Sequence, residues 1–113
     1  MKHLNLKLNF QQIVNILAPD YTGTVVDKEG NTYYLRDRQL HREDGPAAFR
    51  INGNQTWYKN GLKHREDGPA VEFSDNSDDN QYFYEGKNCT ENQLTVLVRE
   101  KKLEAFINGN NKV

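Results

Sequence analysis

The spacing of apolar residues changes period three times along the chain, and each change marks an element. Leu4, Leu6 and Leu8 alternate with Asn5, Lys7 and Asn9, the period-two pattern of a short strand or an extended arm. Phe10, Ile13, Val14 and Leu17 then fall at i, i+3, i+4 and i+7, one face of a short helix. Asn9 is placed to cap it and Pro19 to end it. From Gly23 the pattern becomes short apolar runs divided by turn residues. Val25 to Lys28 and Thr32 to Arg36 read as strands around Glu29-Gly30-Asn31. Ala48 to Ile51 and Gln55 to Lys59 read the same way around Asn52-Gly53-Asn54, and Asn60-Gly61 supplies a tight turn. Val71 to Phe73 and Tyr82-Phe83-Tyr84 flank a longer loop, Ser74 to Asn80. After Cys89 the period turns helical again: Thr90 and Gln93 form a capping box, and Leu94, Leu97 and Val98 share a face. A helix of about three turns is expected there. Leu103, Phe106 and Ile107 continue it less regularly, and the Asn- and Lys-rich end reads as a frayed tail.

One stretch organises the middle of the chain. His41-Arg42-Glu43-Asp44-Gly45-Pro46-Ala47 returns, letter for letter, as His64-Arg65-Glu66-Asp67-Gly68-Pro69-Ala70, 23 residues later. An identity of that length at a fixed offset marks a repeat. Gly30 and Gly53 then stand at equivalent places, as do Tyr34, Trp57 and Tyr82, and Leu35, Tyr58 and Phe83. The first copy carries Asp37-Arg38 where Asn60-Gly61 would be. The last has an insertion in its loop and Cys89 in place of the histidine, as a terminating unit would. The expectation is a single α+β domain: an antiparallel meander of about six strands from two and a half repeats, with a short N-terminal helix and a C-terminal helix. Its parts are residues 1–22, the β repeats 23–88, and the helix and tail 89–113.

Gly53-x-x-x-Trp57-Tyr58-x-Asn60-Gly61-x-x-His64, followed by Gly68-x-Ala70, resembles the MORN repeat, a β-hairpin unit. The His-Arg-x-Asp-Gly-Pro-Ala step is similar to a variant common in proteins of bacteriophages and other large DNA viruses. The resemblance covers about residues 24–88 and implies a binding or scaffolding module without a shared activity. It further implies a phage- or mobile-element-encoded protein that binds and inhibits a host protein, an anti-defence or anti-CRISPR type of inhibitor. Lipid binding is not carried over, because Arg-Glu-Asp lengthens the step between hairpins and the chain has no basic patch.

Composition narrows the picture. Hydrophobic residues make up 35% and mean hydropathy is −0.95, while aromatics reach 11%, so the core should be thin and aromatic. Net charge is −1, from 15 basic and 16 acidic residues; such a balance leaves no footprint for direct nucleic-acid or membrane binding. Cys89 is the only cysteine, which rules out an internal disulfide and favours a reducing compartment. No long apolar run suggests a signal peptide or a span. A cytoplasmic protein is expected, in the host cytoplasm if viral, as a monomer or homodimer.

Candidate chemistry is sparse. His41 and His64, each with an aspartate three residues on (Asp44, Asp67), could form a metal site or acid–base pairs. The simpler reading makes each step a turn module. Asp44 and Asp67 would accept backbone N–H groups, and Gly45 and Gly68 would supply an unusual φ. Pro46 and Pro69 would fix the exit, and the histidines with Arg42 and Arg65 would brace a neighbouring aromatic. No catalytic, cofactor or metal residue is assigned. Asp75, Asp78 and Asp79 lack the glycine and terminal glutamate of a calcium loop and are instead candidate contacts with a protein partner, as an acidic loop that could mimic nucleic-acid phosphate and meet a basic groove. Tyr34, Trp57, Tyr82 and Tyr84 are candidates for an exposed aromatic binding face. A self-associating structural repeat protein and a small His/Asp-dependent hydrolase are the alternatives.

Overall fold

The computed structural model describes residues 2–75 and 78–110. The chain is α+β, with a mostly antiparallel multi-strand sheet, a short N-terminal helix and a C-terminal helix. In order the elements are β1 (Lys2–Asn5), α1 (Phe10–Ile16), β2 (Gly23–Val26), β3 (Thr32–Arg36) and β4 (Gln39–Leu40). Then come β5 (Ala48–Phe49), β6 (Gln55–Thr56), β7 (Tyr58–Lys59), β8 (Leu62–Lys63), β9 (Val71–Glu72), β10 (Tyr82–Tyr84), β11 (Lys87–Cys89) and α2 (Glu91–Asn110). Strands β1-β2-β3-β5-β6-β9 form the main sheet in that order, with β4 joined to β3; β7-β8 and β10-β11 are separate hairpins.

The expected six-strand meander is therefore cut finer. The run Gln55 to Lys59 divides at Trp57: β6 pairs in the main sheet, and β7 turns away to pair with β8. The second and third units thus each contribute to two sheets, while β2, β3 and β4 of the first all belong to the main one. The leucine-rich start is a strand, but it pairs parallel to β2, Leu4 opposite Val25. His3 and Thr24 bond side chain to side chain across that pair.

Directly opposed residues run across the main sheet as Leu4, Val25, Tyr33, Ala48, Thr56 and Val71. Val25, Tyr33 and Ala48 are buried with Leu35 beneath Ile13, Leu17 and Tyr21; Phe10, Leu40 and Tyr58 close the edge. Phe10 stacks on Tyr33 with ring centroids 4.2 Å apart. Helix α1 sits where the sequence places it because Asn9 makes a reciprocal capping box with Gln12, at 2.9 and 3.0 Å. The apolar row ends at Thr56, so the main core belongs to the first half of the chain. Among the described residues, Ala70, Tyr84 and Leu94 are the buried apolar residues of the second half. The thinnest dimension is 19 Å against a longest of 51 Å, the profile of one sheet with a single layer of helix.

Helix α2 is longer than expected. It runs 20 residues to Asn110, so Asn108 and Gly109 belong to it; residues 111–113 of the expected tail lie outside the described residues. Its start is the Thr90–Gln93 box. Among the described residues no helix is long and apolar enough to cross a membrane.

The first hairpin is fixed by a buried carboxylate. Asp27 is 7% exposed and accepts from the N–H of Glu29 and Asn31, from Asn31 Nδ2 and from the Tyr33 hydroxyl, at 3.0–3.1 Å. Burial alone would raise its pKa, but the four hydrogen bonds outweigh burial and hold it below the usual carboxylate value. The same pair drives the Tyr33 hydroxyl up to about 12, through burial first and the bond to Asp27 second. Asp27→Ala should cost about 2–3 kcal/mol, because several donors lose a charged acceptor. Since the folded pKa is depressed, the stabilisation is complete above the unfolded value of 3.8 and is lost as pH falls through the folded one. Urea titrations from pH 7 downward should show a loss of stability in wild type below that value that is smaller in Asp27→Ala.

Candidate functional site

The tight turns bring the repeated histidine steps together with their neighbours. Asp37-Arg38, Asn60-Gly61 and Glu85-Gly86 all have two consecutive residues at positive φ: 49° and 61°, 51° and 82°, 47° and 85°. The first lacks the expected glycine and keeps the conformation anyway. Left-handed backbone costs a non-glycine residue roughly 1 kcal/mol; here Arg38 N–H donates to Tyr21 O at 2.8 Å and its guanidinium to Leu17 O at 3.1 Å. The other turns dock on the preceding unit: Gly61 N–H on Leu40 O and Gly86 N–H on Lys63 O, both 2.8 Å.

At each of those two docks stands a histidine. Asn60 N–H donates to His41 Nδ1 and Glu85 N–H to His64 Nδ1, both at 2.9 Å. An Nδ1 that accepts leaves the ring proton on Nε2. That nitrogen faces a carboxylate, Glu43 at 2.8 Å and, more loosely, Glu66 at 3.4 Å. Both imidazoles are buried, and His64 packs on Tyr84 with centroids 4.7 Å apart. Neither ring keeps a free lone pair for a metal or a proton transfer. Among the described residues no three His, Cys, Asp or Glu side chains gather as metal ligands.

The arginines sit over the aromatics. Arg42 sits 4.1 Å from the Tyr34 ring centroid and Arg65 4.0 Å from Trp57, within range for a cation–π contact. Each guanidinium also donates to a proline carbonyl, Pro46 at 3.2 Å and Pro69 at 3.0 Å, and meets an aspartate, Asp44 at 3.4 Å and Asp67 at 2.9 Å. Arg65 adds Glu72 at 2.9 Å. Two expectations change here. The aspartates serve the arginines. The glycines provide room and not a special φ, since neither Gly45 nor Gly68 is among the positive-φ residues. A Cβ at Gly45 would stand 3.1 Å from the Arg42 guanidinium, and one at Gly68 2.9 Å from that of Arg65.

The aromatic faces are thereby assigned. Leu35 and Tyr58 belong to the core side. Tyr34 and Trp57, expected as open contacts, are roofed by arginine and half-buried. Tyr82 is half-buried, its hydroxyl bonded to Glu91 of α2 at 2.6 Å; that bond is the main reason its pKa is raised. Tyr84 is buried against His64, which removes it from any open surface. Burial raises the Cys89 thiol, so it is not primed as a nucleophile. Of the acidic loop, Asp75, Asp78 and Asp79 are exposed, at the opposite end of the hairpins from the histidine steps; residues 76 and 77 lie outside the described residues.

What the steps leave outward is carboxylate. The side chains of Asp44 and Asp67 are 88% and 80% exposed, with Glu43 at 68%. They border a cleft of about 460 Å³ together with Trp57, Lys59, Val98 and Lys102. The His41 hydrogen bond is the largest cause holding Glu43 below the usual carboxylate range, and the Arg65 bond does the same for Asp67. Sequence reasoning did not find this cleft, because Val98 and Lys102 reach it from α2, far along the chain.

His64→Ala should lower stability by about 1–3 kcal/mol, since Glu85 N–H loses its acceptor. Gly68→Ala should cost about 1–2 kcal/mol by displacing the guanidinium, and the cost should shrink in an Arg65→Ala background; thermal melts of the four proteins close that cycle. A scan against family profiles and searches of curated proteins and of solved structures find no match to this chain, so the reading of this cleft rests on its own geometry.

Proposed function

We propose that the chain is a non-catalytic protein-binding module, a MORN-like array of two and a half units whose charged cleft meets a basic surface of a partner protein. One observation carries this reading. Both copies of the repeated step turn their histidine and arginine inward to bonds already made, and lift the same carboxylates outward along one cleft. The cleft also carries Lys59 and Lys102, so its exposed carboxylates stand in a mixed-charge edge suited to electrostatic docking. The viral resemblance of the repeat extends the reading: the partner is a host protein, and binding inhibits it, in the manner of an anti-defence factor. The hydrolase alternative has less in its favour, because the ring nitrogens it would use are engaged.

The test is capture of the partner from lysate of the natural host on immobilised protein, comparing wild type with Asp44→Asn/Asp67→Asn and with a deletion of Asp75–Asp79. The double variant should fold, since exposed ion pairs contribute only about 0–1 kcal/mol each, and should lose the partner. Capture by wild type should weaken with added salt. If the loop deletion alone abolishes capture, the contact lies at the other end of the hairpins.

A further inference from the structure

Helix α2 has two apolar faces on opposite sides, so that its apolar residues nearly cancel as a moment. Leu94, Leu97 and Val98 turn toward the body, and Leu94 is buried there. At 3.6 residues per turn, Val96, Leu103, Phe106 and Ile107 fall on the other side. They are 47%, 56%, 66% and 47% exposed. A helix that had only to cap this sheet would need the first face alone.

We infer that this outer face is a homodimer interface, in which α2 pairs in parallel with α2 of a second copy. Two features choose the occupant. The first is spacing: Val96, Arg99, Leu103 and Phe106 follow one another at steps of three, four and three, the a/d rhythm of a two-stranded coiled coil. The second is charge. With Arg99 inside the stripe, Lys102 flanks it on one side and Glu100 on the other, and Glu104 lies further round on the acidic side. Two such helices laid parallel bring the basic side of each against the acidic side of its partner. Laid antiparallel, they bring like charge against like. The body lies behind the helix, away from the seam, so two copies meet without collision over the docked part of α2. Arg99 at a seam position disfavours a tight pair, and its guanidinium reaches the neighbouring Glu100 of the other copy. The seam is short, so the dimer is reversible and depends on concentration. This inference does not rest on the binding role of the cleft, although Lys102 borders both the cleft and the seam.

Sedimentation velocity of the full chain over a dilution series should show the mass rising from one chain to two. Leu103→Glu/Phe106→Glu should stay at one chain, with an unchanged melting curve because both positions are solvent-facing. Glu100→Lys/Glu104→Lys and Arg99→Glu/Lys102→Glu should each stay monomeric alone and form a dimer when mixed. In a Cys89→Ser background, Phe106→Cys should oxidise readily to a disulfide-linked dimer, as parallel strands place position 106 against itself. A wild type that remains one chain at its highest concentration would overturn the inference. So would a dimer indifferent to Leu103→Glu/Phe106→Glu, or a Phe106→Cys protein that does not cross-link.

Discussion

One hydrogen bond recurs through the second half of this protein and fixes how its hairpins dock: a buried imidazole nitrogen accepting one backbone N–H from the turn of the next hairpin. His41 does this for Asn60 and His64 for Glu85, at the same distance. The hairpins concerned have strands of two or three residues, too short to stand by themselves. Fixing each turn against the unit before it supplies what the short ladder lacks. The histidine suits the place because it is flat enough to be buried and offers one acceptor and one donor on opposite sides of a ring.

Around that bond the other letters of the step acquire their purposes. The arginine needs a flat aromatic below it, a proline carbonyl within reach and no side chain above, and Tyr34 or Trp57, Pro46 or Pro69, and Gly45 or Gly68 meet those needs in turn. The carboxylates then have only two tasks left, to pair with the half-buried cation and to face water. The cost of ordering each arginine is met by a cation–π contact together with one hydrogen bond and an ion pair at Arg42 and three hydrogen bonds at Arg65, which an isolated surface ion pair would not provide.

The last unit shows what happens when the histidine is missing. Cys89 stands in its place, and no further turn follows. Thr90 N–H, at the position of Arg42 and Arg65, donates to the Gln93 side chain instead of to a strand carbonyl. The helix cap thus occupies the place where another hairpin would begin, and α2 leaves the sheet as an extended arm with one face still apolar.

Much of this was legible from residues alone. Asn9, Thr90 and Gln93 announce both helix starts because capping is local chemistry within four residues. Gly30 and Gly53, both near φ 92°, and the Asn60-Gly61 turn are equally local. The seven-residue identity fixes that two places share one structure. It does not say what any letter touches. That Gly68 makes room for a guanidinium, that Trp57 divides one run between two sheets, and that Asp37-Arg38 can form a glycine-like turn all depend on groups distant in the chain, Leu17 and Tyr21 in the last case. The length of α2 escaped because its two apolar faces interfere when read as one period. The sequence by itself determined which segments repeat and where helices begin. Only the tertiary structure decided which aromatic face is roofed and which charges are left outward, because burial is a property of what lies opposite, and the chain order does not record it.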